Sequence, residues 1–412
     1  MKNKVALCLF SLLLIISFGA NAQQEKNKDL IYLASNKLKG RAAGTKHELA
    51  AARYIAKRFE EIGLQPIGDE GGYLQPFSFD PQHMEDPDGG DSKQKKGPLT
   101  SHNVLGWIDN GANKTIVIGA HYDHLGMGEY GSLHTGDKEI HNGADDNASG
   151  VAALIDLGER LVNTKGVNTN FLFIAFGAEE AGLLGSKHYI QAPVVPNNKI
   201  SCMINLDMVG RLNEAKELTV YGTGTSPKWP TVLKAAERKE LKLKFEESGL
   251  GPSDHATFYL SKIPVLCFFT GKHIDYHKPT DDIEKINYEG MTMIVDYVES
   301  IIHELDPVLK LAFSETKDEM VHNSPRKKYK VTLGVMPDYA FQGPGMRIDG
   351  VIGNRPADKA GMQDGDVVIQ LGEVEVRDLQ TYMEALSQFN AGDKTKVVFE
   401  RAGNKMELEL EF

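Results

Sequence analysis

Cysteine is scarce in this chain, with three in 412 residues, so there is little material for a disulfide scaffold. Cys8 lies in an N-terminal segment that reads as removable, and Cys202 and Cys267 sit inside the apolar runs "ISCMINLD" and "IPVLCFF". Two buried free thiols are expected rather than a bridge, because sequence spacing gives no reason to pair them. Positive charge is also in short supply. The 46 Lys and Arg face 57 Asp and Glu, for a net charge of −11, and no basic stripe is present for a nucleic-acid backbone to follow. That excludes nucleic acid as a partner. Apolar runs long enough to span a bilayer, about 20 residues, are missing as well. The N-terminal run from Val5 to Phe18 is too short, and nothing later offers an integral membrane segment. No internal repeat is visible.

Residues 1–22 have a different character. Lys2 and Lys4 precede that apolar run, and Ala20-Asn21-Ala22 supplies the small-x-small pattern of a cleavable signal peptide. No cysteine follows to carry a lipid anchor. The expectation is a mature chain from residue 23, exported to a periplasm or the extracellular space.

Beyond the signal, the chain divides into a large domain over 23–310, a polar linker over 311–328 and a small β-rich domain over 329–412. Leu49, Ala52, Ile55, Phe59 and Ile62 recur at helical spacing ahead of Gly63, which predicts an amphipathic helix over 48–62. The stretch "DPQHMEDPDGGDSKQKKGPLT" (80–100) has almost no apolar content and reads as a surface loop. Four short apolar runs follow: "TIVIGA" (115–120), "FLFIAF" (171–176), "CMINL" (202–206) and "IPVLCFF" (263–269). Without polar alternation they suit strands buried on both faces, and helical patterns at 149–162 and 227–240 lie between them, with a last amphipathic helix at 297–306. This predicts an α/β fold: a three-layer mixed, mostly parallel sheet flanked by helices.

In such a sheet ligands gather beyond the carboxyl ends of the strands, and the candidate metal ligands fall there. Run 115–120 ends in His121-Tyr122-Asp123, and run 171–176 leads to Glu179-Glu180. Run 202–206 ends in Asp207, and run 263–269 leads to "DYHKPTDD" with His277. Asp145 and Asp146 lie in "GADDNASG", ahead of a helix that Ser149 is expected to cap. Two histidines with several carboxylates are typical of zinc. Two Zn²⁺ ions are neutralised by three carboxylates and one hydroxide, so a paired site with a bridging carboxylate is the economical arrangement. Adjacent residues of an extended segment point apart, so Glu179 and Glu180 can divide the work: one binds metal, the other moves a proton. Asp123, two residues from His121, is placed to accept its second ring N–H. His124, His134 and His141 read as solvated loop residues. Asp254-His255 reads equally as an outer partner of the site or a helix cap.

The motifs "GAHYDHLG", "NGADDNASG", "AFGAEEAGLLGS", "NLDMVG" and "YHKPTDD" together resemble metallopeptidase family 28 of di-zinc aminopeptidases, over roughly residues 26–305. The resemblance implies a zinc-peptidase-like fold with His121 and Asp207 on one zinc, Glu180 and His277 on the other, and Asp146 bridging. It implies Glu179 as general base and Tyr276 as a donor to the tetrahedral intermediate, although the family does not keep that tyrosine throughout. The implied substrates are peptides with a free N-terminus. Glutaminyl cyclases, which look similar and bind one zinc, are the nearest alternative, followed by carboxypeptidase-type relatives. From residue 329, "VTLGVMPDY" and "PADKAGMQDGDVVIQLG" resemble a PDZ domain. That implies a groove for a peptide C-terminus at Leu333, Gly334, Val335 and Met336, or else a closed packing module. A non-catalytic peptide-binding protein acting through this domain is the rival from another class.

Overall fold

The structure, a computed structural model, describes residues 27–80, 97–128, 131–132, 134, 137–308, 310–316, 331–337, 341, 343–351, 355–363, 365–377 and 379–412. The signal-peptide reading of 1–22, most of the 80–100 loop and residues 317–328 of the linker lie outside them.

The first domain opens with helices α1 (Lys28–Leu33) and α2 (Lys46–Ile62). The Thr45 hydroxyl accepts the Glu48 N–H at the start of α2, and Gly63 ends it in a left-handed conformation, φ 89°. Strands β1 (Gln65–Pro66), β2 (Leu74–Phe79), β3 (Leu99–Ile108) and β4 (Thr115–His121) follow. Next come α3 (Gly150–Val162), β5 (Asn170–Phe176), α4 (Leu184–Gln191), β6 (Ile200–Leu206) and β7 (Glu217–Tyr221). Helix α5 (Trp229–Ala235), β8 (Lys242–Phe245), α6 (His255–Leu260), β9 (Val265–Phe269) and α7 (Tyr288–Leu305) complete it. The four expected strands are present within two residues of their sequence bounds. Helix α5 is shorter than the 227–240 pattern, and α7 begins well before residue 297.

The strand order is β1-β3-β5-β4-β6-β9-β7-β8, with β2 on β3. The centre, β5-β4-β6-β9, is parallel, while β3 and β7 run antiparallel against it. Pleating explains why the central runs show no polar alternation. Ile116 and Ile118 join the core under α1, α2, α3 and α7, whereas Val117 joins a second core with Tyr189 of α4 and Phe258 of α6. Each buried side chain of this kind contributes about 1.5–3 kcal/mol. The buried Lys114, just before β4, donates to the carbonyls of Leu305, Asp306 and Val308, and so ties the end of α7 to the start of that strand.

The described part of the expected linker is not free of the first domain. Leu311 is buried, its N–H donates to Ser201 Oγ, and Thr316 accepts from Gly249 N–H at 3.0 Å.

The second sheet is antiparallel, ordered β10 (Val335–Pro337), β11 (Met346–Val351), β12 (Val367–Leu371), β14 (Lys394–Arg401) and β15 (Asn404–Glu411), with β13 (Val374–Glu375) on β12. Helices α8 (Pro356–Ala360) and α9 (Leu379–Leu386) accompany it, and Leu333, Val368, Leu386 and Phe399 belong to its own core. Among the described residues no helix is long and apolar enough to cross a membrane.

Candidate metal centre

His121 is the last residue of β4, and Asp207 follows β6, the neighbouring strand. Glu179 and Glu180 follow β5, and Asp146 sits in the segment between β4 and α3. His277 arrives from the loop after β9. All six converge at the carboxyl end of the parallel strands.

Asp146 stands between the histidines. Its Oδ1 is 3.3 Å from His121 Nε2, and its Oδ2 is 3.3 Å from His277 Nε2. Asp207 Oδ1 is 3.6 Å from His121 Nε2, and Glu180 Oε2 is 3.4 Å from His277 Nε2. Donor atoms around a tetrahedral zinc with bonds of about 2.0–2.1 Å stand roughly 3.3–3.4 Å apart, so this spacing fits two cations that share one carboxylate. The donor set fits as well. His121, Asp146 and Asp207 form one group of candidate ligands whose donor atoms lie within 4.8 Å of one another, and His124, Asp146 and Glu180 form another.

Each histidine that faces Asp146 is oriented through its other nitrogen. His277 Nδ1 meets the Gly131 carbonyl at 2.7 Å, and His121 Nδ1 meets the main-chain carbonyl of Asp123 at 3.2 Å. This corrects the role expected for the Asp123 side chain, whose Oδ1 lies 3.8 Å from that nitrogen. The Asp123 carboxylate instead accepts the N–H groups of Glu179 (2.9 Å) and Glu180 (3.2 Å) and fixes the acidic pair.

The acidic pair is not in an extended segment, as the sequence suggested. Ala178 is left-handed (φ 55°), and the Glu179 carbonyl accepts from Gly182 and Leu183, so both acids sit on a turn. His277 (φ 54°) and Met208 (φ 51°), which follows Asp207, are left-handed too. A non-glycine residue there costs on the order of 1–2 kcal/mol, and such strain collects at functional sites.

The field at the centre is strongly anionic. Burial disfavours charge on His277, yet Glu180 and Asp146 raise its pKa to about 9. His121 also lies well above its usual range, because Glu179, Asp146 and Asp207 outweigh burial. Glu179 is buried beside Glu180, Asp254 and Asp207, and its carboxyl is pushed well up against the pull of His121. Burial and the nearby carboxylates likewise push the Tyr276 phenol up, so it stays protonated at neutral pH. The Tyr276 ring stacks on His277 with centroids 3.9 Å apart.

Other expectations change. His124 and His141 are buried rather than solvated; His124 Nδ1 lies 2.8 Å from Glu180 Oε1. Ser149 does not cap α3. Asn147 Oδ1 accepts the N–H groups of Gly150 and Met208, while the Ser149 hydroxyl donates to the Asp145 carbonyl. The Asp146–Asn147 peptide is cis. Asp145 accepts from Gly210 N–H and lies 3.0 Å from His273 Nε2, and Asp281 accepts the N–H groups of Asp145 and Asp146. Sequence reasoning missed His273, Asp281 and Arg41, although the paired acids of "KPTDD" offered a signal for Asp281. Cys202 and Cys267 are free and buried, as expected.

Residues 103–302 match the model for Peptidase family M28, and residues 312–412 match the model for the PDZ domain. One stretch of the chain is thus similar to the M28 peptidases and the stretch after it to PDZ domains. It is 32% identical over 222 residues to Aminopeptidase YwaD of Bacillus subtilis (strain 168), a match covering 50% of this chain and 45% of that protein. The chain spans about half the length of the curated relatives it matches. A leucine aminopeptidase precursor from Bacteroides thetaiotaomicron VPI-5482 shares the fold with a TM-score of 0.54 at 21% identity, over 68% of this chain and 96% of that one. A Bacteroides thetaiotaomicron glutaminyl cyclase bound to N-acetylhistamine is similar with a TM-score of 0.53 at 21% identity, over 68% and 97% of the two chains.

Proposed function

We propose that this chain is an exported aminopeptidase that removes N-terminal residues from peptides with two zinc ions. The observation that carries the reading is the placement of the Asp146 oxygens, one 3.3 Å from each histidine Nε2. His121 and Asp207 would hold one ion, His277 and Glu180 the other, and Asp146 both. When bound, such a pair polarises a peptide carbonyl and lowers the pKa of water to about 7.

The chain's own residues do the rest. Glu179, its amide fixed by Asp123, takes a proton from the attacking water and returns it to the leaving amine. Burial beside the other carboxylates raises its affinity for a proton, which suits the step that takes one from water. Tyr276, protonated and stacked on His277, donates to the oxygen that gains charge at the scissile carbon. His124 steadies Glu180. The resemblance implies that the substrate must present a free N-terminus, which a blocked peptide lacks. The PDZ domain, with β10 at the end of its sheet order, receives a peptide C-terminus as an added strand beside Leu333–Met336.

Metal analysis of the purified protein, with leucyl-anilide and N-terminally blocked substrates, tests this. Two zinc equivalents are expected, with cleavage of the free anilide alone. Glu179→Gln should keep both metals and lose roughly 100- to 10,000-fold in kcat. One zinc equivalent with turnover of N-terminal Gln peptides would instead identify a glutaminyl cyclase.

A further inference from the structure

Arg41 lies outside the stretch that matches the peptidase family, and its side chain is 1% exposed beneath the metal centre. Its described hydrogen bonds all go to main-chain carbonyls. Nε donates to Tyr122 at 2.7 Å, Nη1 to Leu33 at 2.5 Å and to Asn142 at 2.6 Å, and Nη2 to Gly143 at 3.1 Å. Tyr122 directly follows His121, and Asn142 and Gly143 lead into Asp145-Asp146. One planar fork thus spans the segments that carry His121 and Asp146, and it anchors both to α1.

The backbone around it is built for the same purpose. Lys39 (φ 47°), Gly40 (φ 70°) and Arg41 (φ 51°) are all left-handed, which turns the guanidinium inward. The Gly40 and Arg41 carbonyls then accept the N–H groups of Gly126 and His124. Gly143 is left-handed as well, and a Cβ there would lie 2.1 Å from the Asp146 carbonyl, so the loop is closely fitted where Arg41 grips it. Burial lowers the guanidinium pKa to about 10 while Asp123, Asp146, Asp281 and Glu180 pull it back up, so it is cationic at neutral pH and faces the acids from below.

We propose that Arg41 is a positioning residue: by tying the chain after His121 to the chain before Asp146, it sets the opening of the His121–Asp146–Asp207 pocket and hence that pocket's affinity for zinc. The inference rests on the two-zinc reading above. A lysine keeps the charge but offers a point donor in place of the fork, so it cannot hold three segments in one plane.

The test uses the full mature chain and zinc alone as probe, with affinity taken by chelator competition per folded molecule and Tm measured on metal-stripped protein. Arg41→Lys and Arg41→Gln are compared with Arg58→Gln, which breaks the N-terminal Arg58–Asp29 pair (2.7 Å). Both Arg41 variants should weaken one zinc step at least tenfold and lower kcat, whereas Arg58→Gln should lower Tm with zinc affinity unchanged. An Arg41 variant that folds and binds zinc within twofold of the parent overturns the proposal. So does failure of both Arg41 variants to fold while Arg58→Gln folds, since Arg41 would then only support the fold. If the parent itself binds no zinc, the two-zinc reading fails before any variant is compared.

Discussion

The two halves of the proposed metal centre are built on different footings. His121 and Asp207 cap neighbouring strands of the parallel core, with hydrogen-bonded ladders beneath them. His121 is only 2% exposed. His277 and Glu180 come from turns that start or pass through left-handed residues. Side chains must fasten this half. Asp275 accepts from Thr280 (2.7 Å), Arg211 (3.2 Å) and Lys285, which pins the loop around Tyr276 and His277. Gly131 holds His277, and His124 holds Glu180. His121 and Asp207 inherit their positions from the sheet and need Arg41 only for the approach of Asp146, whereas His277 and Glu180 each depend on fasteners of their own that single substitutions can remove.

The largest test removes the residue common to both halves. Asp146→Ala should leave less than one tightly held zinc equivalent and reduce hydrolysis by at least about a thousandfold, read by metal analysis and anilide turnover. Separating the halves comes next. His277→Ala should keep one zinc through dialysis, while His121→Ala should leave the weaker, turn-borne site alone, and elemental analysis distinguishes the two. A finer contrast comes from Asp275→Asn, which loosens only the turn half. One zinc step should weaken roughly 10- to 100-fold with the other unchanged, as measured by stepwise chelator competition.

How much of this was legible in the sequence follows the same division. The strand half could be read directly, because apolar runs buried on both faces stop abruptly at His121 and Asp207. The turn half was legible in composition but not in geometry. Nothing in "FGAEEAG" signals that Ala178 is left-handed, since glycine is the usual marker of that conformation. The fasteners were least visible. Arg41 bonds to main-chain carbonyls distant in sequence, and carbonyls carry no residue-type signature. His124 looked like a loop residue because its partner, Glu180, lies beyond an intervening helix and strand.

The smallest expected effect lies behind both halves, at the start of α6. His255 is 2% exposed, neither ring nitrogen has a hydrogen-bond partner among the described residues, and burial lowers its pKa to about 3. Between pH 3 and the unfolded value near 6.5, the unfolded chain binds the extra proton, so stability is full above about 6.5 and falls as pH drops. At pH 5.5 the loss should be about 1 kcal/mol relative to pH 8. Denaturant titrations of the parent and of His255→Phe should show the slope flattened in the variant, and equal slopes would remove His255 as its cause.

The clasp made by Lys114 fixes the doorway through which the polypeptide departs. It holds residues 305–308 against the amino end of β4, and seven residues at about 3.3 Å each separate that end from His121, a distance of roughly 20 Å. Residues 305–308 therefore leave on the floor of the sheet, while the candidate ligands stand at its roof.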